Sequence, residues 1–135
     1  MDYKKTKYRS YTPQDYQHVN NLWLDYTEQD FSEDMIPTTG IVVEKENKVL
    51  GSIFVYTTNS NVAWLSFPLF QKGYDKSDRD ELINGLIERA TELSERLGYK
   101  ILFTTSAQRY VLNRFVNTFD WKVGDENTTH LMKMI

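Results

Sequence analysis

Residues 76–103, KSDRDELINGLIERATELSERLGYKILF, decide the architecture of this chain. Leu82, Ile83, Leu86, Ile87, Ala90, Leu93 and Leu97 recur at helical spacing and make one apolar stripe. Ser77, with Asp80 three residues later, predicts the N-cap, and Gly98 predicts the left-handed residue that ends the helix. Ile101, Leu102 and Phe103 then run together without polar alternation, which predicts a buried strand in parallel pairing over Lys100 to Thr105. The start of the helix poses the functional question. The first N–H groups of a helix lack intrahelical partners and favour an anion, yet this one opens with Asp78 and Asp80.

Upstream, Thr12-Pro13-Gln14-Asp15 combines a cap residue, a proline at the first helical position and an acid three residues after the cap. Tyr16, Val19, Leu22, Trp23 and Tyr26 follow at helical spacing as a buried face. The acidic stretch from Asp25 to Pro37 has no clean period and reads as a short helix or a loop. From Gly40 the period becomes that of strands. Ile41-Val42-Val43 and Val49 to Thr58 form a hairpin around Glu46-Asn47-Lys48, and Val62 to Phe70 is a third strand. Pro68 cannot donate to a ladder, so that strand must end, bulge or leave its neighbour there. Downstream, a helix around Ala107 to Thr118 and closing strands at about Trp121 to Gly124 and Leu131 to Ile135 complete the chain.

Composition narrows the function. The 135 residues, 40% hydrophobic and 14% aromatic, suit one domain, 1–135, with one core. A formal charge of −3 gives no footprint for nucleic acid. Lys4, Lys5, Lys7 and Arg9 read as the solvent side of a strand, as does Glu44. The chain has no Cys, which removes disulfides and thiolate chemistry, and its two His, His18 and His130, lack zinc spacing. No apolar run reaches the roughly 20 residues of a membrane span. The expected setting is cytoplasmic, without membrane.

The segments ERATELSERLGYKILF (88–103) and NRFVNTFDWKVGDENTTHLMKMI (113–135), in this order after three antiparallel strands, resemble the GNAT family of N-acetyltransferases over essentially the full length. The resemblance implies an α+β, three-layer fold. Its mixed, mostly antiparallel sheet has six to seven strands, with helices on both faces and the fourth and fifth strands parallel and splayed. It further implies acetyl-CoA in that splay, with pantetheine on the fourth strand, at Ser66 and Phe67, and pyrophosphate on the loop opening the next helix. It also implies a small-molecule or protein amine as acceptor, and the last strands suggest a homodimer with Trp121 or Met132 at its surface.

The family's pyrophosphate pattern is Gln or Arg, two residues, Gly, one residue, then Gly or Ala. Gln71 takes the first position, but Tyr74 and Lys76 occupy the small-residue positions. Counting back from Gly98 instead places Asp78 to Ile83 there, so the two counts disagree by about seven residues and Gln71 to Ser77 reads as an inserted loop. Without glycines, side chains must hold the phosphates, and Lys76 and Arg79 are the candidates, beside Lys72. The family's acid is a tyrosine that falls here on Val116. Tyr110, on the same helix, and Ser106, at the end of the fifth strand, are the candidate catalytic groups in its place. Ser106 serves equally as a helix N-cap and Tyr110 as a packing residue. Two functions therefore stand: an acetyl-CoA-dependent N-acetyltransferase, or a GNAT-like binding or structural module that has lost chemistry.

Overall fold

Glu46 and Asn47 both take positive φ, 51° and 67°, the two-residue turn whose twist matches a right-twisted hairpin. In this computed structural model, which describes residues 5–66, 68–106 and 108–135, the turn joins β2 (Gly40–Lys45) to β3 (Lys48–Tyr56). Two units form, Met1–Thr104 and Thr105–Ile135, each treated by itself.

In the first unit β1 (Thr6–Ser10), β2, β3 and β4 (Val62–Leu65) pair antiparallel in sequence order, and β6 (Ile101–Phe103) joins β4 in parallel. A two-residue strand, β5 (Leu69–Phe70), pairs with the first half of β3. The sheet is thus six-stranded and mostly antiparallel. Helix α1 (Tyr16–Thr27) buries Val19 and Leu22 with Tyr11, Val42, Val49, Phe54 and Leu69. Alternation along the strands sends Ile41, Val43, Ile53 and Val55 to the other face, where α2 (Lys76–Arg96) contributes Leu82, Leu86, Ile87 and Ala90 to the core. The parallel pairing of β6 is as expected, but its burial is not: Ile101 and Phe103 are exposed, because β6 is the edge of the sheet among the described residues.

The ends of α2 separate two expectations. Gly98 does terminate it, at φ 94°, and the Tyr99 N–H donates to the Ser94 carbonyl. At the start the cap is Asp75 rather than Ser77, and the helix runs for 21 residues. The loop from β5 is therefore Gln71 to Asp75 alone. Of the residues read as an inserted loop, only Lys76 and Ser77 join the helix, and Gln71 to Asp75 remain as the connection.

Glu44 is also corrected: it is buried, not solvent-facing. Arg9 Nε donates to its Oε2 at 3.1 Å, and Lys7 Nζ lies 3.3 Å from Oε1. Arg9 also grips buried Asp15 in bidentate fashion, both contacts at 2.8 Å. Asp15 in turn accepts the Thr12 N–H at 2.9 Å, the acid half of the expected capping box. Pro13–Asp15 is a 3-10 turn leading into α1. The Asp25 to Pro37 stretch is a loop with one 3-10 turn, Glu33–Met35.

In the second unit α3 (Arg109–Asn113) passes into a π-helical turn, Arg114–Thr118. Phe115 is buried, with Trp121 edge-on at 4.8 Å. The closing strands do not form: residues 119–135 carry no strand, and Leu131, Met132, Met134 and Ile135 are exposed. Ala107 and Met1 to Lys4 lie outside the described residues.

Two measurements check this packing. A Cβ on Gly85 would overlap the Tyr8 hydroxyl, which donates to the Leu82 carbonyl at 3.0 Å. Gly85→Ala should therefore cost about 1–3 kcal/mol in urea unfolding, although alanine is the better helix former by about 1 kcal/mol; adding Tyr8→Ala should relieve the clash. Arg9 beside Asp15 holds that carboxyl below its ordinary range. A depressed pKa contributes stability above the unfolded value, about 3.9, and loses it as pH falls through the folded value. Asp15→Asn should flatten the acid limb of the stability–pH curve.

Candidate functional site

Leu65 stands opposite Val55, and Leu69 opposite Ser52. Four steps along one strand thus match three along β3, so one extra residue is inserted between β4 and β5. This is a β-bulge at the proline. Ser66 fastens it: its N–H donates to the Phe54 carbonyl at 3.0 Å, and its Oγ accepts the Phe54 N–H at 2.9 Å. Phe67 lies outside the described residues.

On its other side β4 holds β6 through three rungs, Val62 with Ile101, Ala63 with Leu102 and Trp64 with Phe103. There the backbone ladder stops. The Leu65 carbonyl is met by a side chain instead, accepting from the Thr104 hydroxyl at 2.9 Å. The parallel backbone ladder therefore ends at Trp64 and Phe103, with one side-chain bond beyond it at Leu65, where the bulge turns Ser66 towards β3.

Beyond β5 the loop turns at Gly73, whose φ is 91° and whose missing Cβ would meet nothing within 4 Å. Glycine is here for the left-handed backbone. Arg79 makes the first backbone bond to the cap, its N–H donating to the Asp75 carbonyl at 2.9 Å, so the N–H groups of Lys76 and Ser77 precede that ladder. Lys76 Nζ is 3.0 Å from Asp80 in an exposed i,i+4 pair. Lys72 Nζ donates to the Asp25 carbonyl at 2.5 Å and lies 4.5 Å from the Tyr26 ring centre. Among the described residues Arg79 pairs with no acid. Gln71 donates its N–H to the Leu50 carbonyl at 2.8 Å, while its side-chain Oε1 is buried without a donor.

The predicted site residues thus fall into two groups. Ser66, Gln71, Lys76 and Arg79 follow one another along the β4-to-α2 connection of the first unit. Tyr110 and Ser106 belong to the second. Tyr110 is 66% exposed on α3. Ser106 Oγ accepts the Gln108 N–H at 3.0 Å in the turn before α3, whose cap residue is Gln108 itself. The π turn around Val116 was not expected; its signal, i→i+5 bonding, has no sequence motif.

No family model matches this chain, and no curated protein does. Solved structures do. A transcriptional regulator from Bacillus halodurans C-125 has a TM-score of 0.71 at 14% identity, with 94% of this chain and 99% of that one covered. An aminoglycoside acetyltransferase from an uncultured soil metagenomic sample, solved with trehalose, has 0.69 at 16% identity over 98% and 97%. An aminoglycoside N-acetyltransferase solved with CoA has 0.67 at 8% identity over 96% and 95%. The architecture is a mixed open sheet of the acyltransferase kind. It is the fold of the GNAT N-acetyltransferases.

Ser66 has a structural duty that any functional assay must separate. Ser66→Ala leaves the N–H of buried Phe54 without its acceptor, so unfolding stability should fall by about 1–3 kcal/mol. An unchanged urea midpoint would show that the bulge does not depend on this hydroxyl.

Proposed function

We propose that this chain transfers an acetyl group from acetyl-CoA to an amine. The observation that carries the reading is the end of the parallel β4–β6 ladder beside Leu65, followed within one short loop by the start of α2. A neighbour of the same fold was solved with CoA, and others are named as acetyltransferases.

Acetyl-CoA, when bound, supplies a thioester carbonyl activated towards nucleophiles. The chain's own residues hold and orient it. The backbone at Ser66 and Phe67 takes the pantetheine amides. The diphosphate falls to Lys76, Arg79 and the N–H groups opening α2. The acids there weaken this fit without abolishing it. An exposed i,i+4 pair such as Lys76–Asp80 contributes only about 0.3–0.5 kcal/mol, so Lys76 can exchange Asp80 for a phosphate at small cost. Gln71 would join through the NH2 of its side-chain amide.

Protons are the harder requirement. An alkylamine with a pKa near that of lysine, about 10.4, is mostly ammonium at neutral pH, so one proton must leave before attack. The fourth strand has no carboxylate from Val62 to Phe70, so the proton leaves through a water chain or to a base placed elsewhere. Tyr110 or Ser106 would return a proton to the departing thiolate.

A second reading, a GNAT-like module without chemistry, is favoured by the exposure of Tyr110 and by Asp75 and Asp78 at the start of α2. Titration with acetyl-CoA separates the two. At about 100 times Kd it should stabilise the fold by about 2.7 kcal/mol, less in Lys76→Ala and Arg79→Ala. Acetyl transfer, read as released thiol with an amine present, should fall in Tyr110→Phe if that hydroxyl is the acid. No thermal shift at millimolar acetyl-CoA would remove the enzyme reading.

A further inference from the structure

A groove of about 290 Å³ lies between β1 and α2, lined by none of the candidate site's residues. Tyr8, Ser10 and Ile41 line it from the sheet, and Arg89, Glu92 and Arg96 from the helix. All six belong to the first unit. In the strand order β1-β2-β3-β4-β6, β1 is the end opposite β6, and no strand pairs with its outer side among the described residues.

Backbone groups face outwards along this edge. The Tyr11 N–H donates to the Gly40 carbonyl at 2.9 Å, and the alternation of an antiparallel pair then turns the N–H and C=O of Lys7 and Arg9 towards β2 and those of Tyr8 and Ser10 outwards. The Ser10 carbonyl is met by Arg9 Nη1 at 3.1 Å. Both backbone groups of Tyr8 and the N–H of Ser10 remain for a further strand.

The helix side of the groove supplies charge. The Arg89 guanidinium carbon stands 3.8 Å from the centre of the Tyr8 ring, and its Nη1 reaches the Gly85 carbonyl at 3.4 Å. Among the described residues neither Arg89 nor Arg96 is paired with an acid. Two arginines against Glu92 leave one positive charge there. A residue set opposite Tyr8 on an added strand would carry its side chain on the face of Tyr8, beside Arg89.

From this we infer that β1 takes up an extended acidic peptide as an added strand, with its backbone on Tyr8 and Ser10 and its alternate carboxylates on Arg89 and Arg96. A second copy of β1 is a poorer occupant. Each antiparallel register that sets Tyr8 opposite Thr6, Tyr8 or Ser10 of another copy also sets Lys7 or Arg9 against Lys7 or Arg9, and like charges directly opposite destabilise a pair. A free anion would meet the arginines but leave the strand's N–H and C=O groups unpaired.

The test is calorimetric titration of the full chain with the peptide acetyl-Thr-Glu-Thr-Glu-Thr-amide. One control replaces both glutamates by lysine; the other methylates both glutamate nitrogens, which removes the N–H donors that would face β1. Saturable binding of the first peptide is expected, with both controls about tenfold weaker. Arg89→Ala and Arg96→Ala, on the exposed side of α2, should each weaken it about fivefold. Amide hydrogen exchange at Tyr8 and Ser10 should be fast in the free protein and slowed by the peptide. The inference is overturned by absence of saturable binding, by equal binding of either control, or by unchanged affinity in both arginine variants. Slow exchange at Tyr8 and Ser10 in the free monomer also overturns it, because the chain then covers its own edge. So does slow exchange in a dimer seen by light scattering, which would give the edge to a second copy. Inorganic phosphate that displaces the peptide at equal concentration would reduce the groove to an anion site and reject the added strand.

Discussion

The missing N–H of Pro68 is the constraint on which the rest of the candidate site depends. A strand running from Val62 to Phe70 would ordinarily pair with β3 along its whole length. Proline withholds one donor from that ladder, and the chain answers by inserting a residue, so that β4 and β5 meet β3 in registers one residue apart. The slip has consequences on both sides of the strand. Towards β3, Ser66 supplies by side chain and backbone what the interrupted ladder lacks. Towards β6, the parallel ladder ends at Trp64 and Phe103. A sheet otherwise built for packing thereby acquires a place where a parallel backbone ladder stops and one side-chain bond, Thr104 to Leu65, continues it.

The electrostatics of α2 follow from the charges gathered at its start. Three cations, Lys72, Lys76 and Arg79, and three acids, Asp75, Asp78 and Asp80, occupy its approach and first turns. Two of the cations are already engaged, Lys72 by the carbonyl of Asp25 and Lys76 by Asp80. The helix start is therefore close to neutral, not cationic. An acid in the first turn satisfies the helix dipole by about 0.3–1 kcal/mol, an interaction that a bound phosphate would otherwise supply. The empty helix is stabilised here by its own sequence.

Much of the fold was legible in the sequence because it depends on local signals. The apolar stripe of α2, the stop at Gly98, the hairpin around Glu46-Asn47-Lys48 and the disturbance at Pro68 each rest on residues within a few positions of one another. What was misread depends on distance or on counting. Glu44 looked like a solvent-facing residue of a strand, and only the folding of β1 beside β2 brings Arg9 and Lys7 to it and buries it. Ser77 satisfied the cap pattern as well as Asp75 did, and caps one or two residues apart are not separable by pattern. The closing strands had the right residue types in Leu131 to Ile135, but strand formation needs a partner edge, which no local pattern supplies. Of the candidate site, the first unit's residues were found through the proline and the helix start. The place where the β4–β6 ladder stops was not, because Trp64 and Phe103 become neighbours only through register.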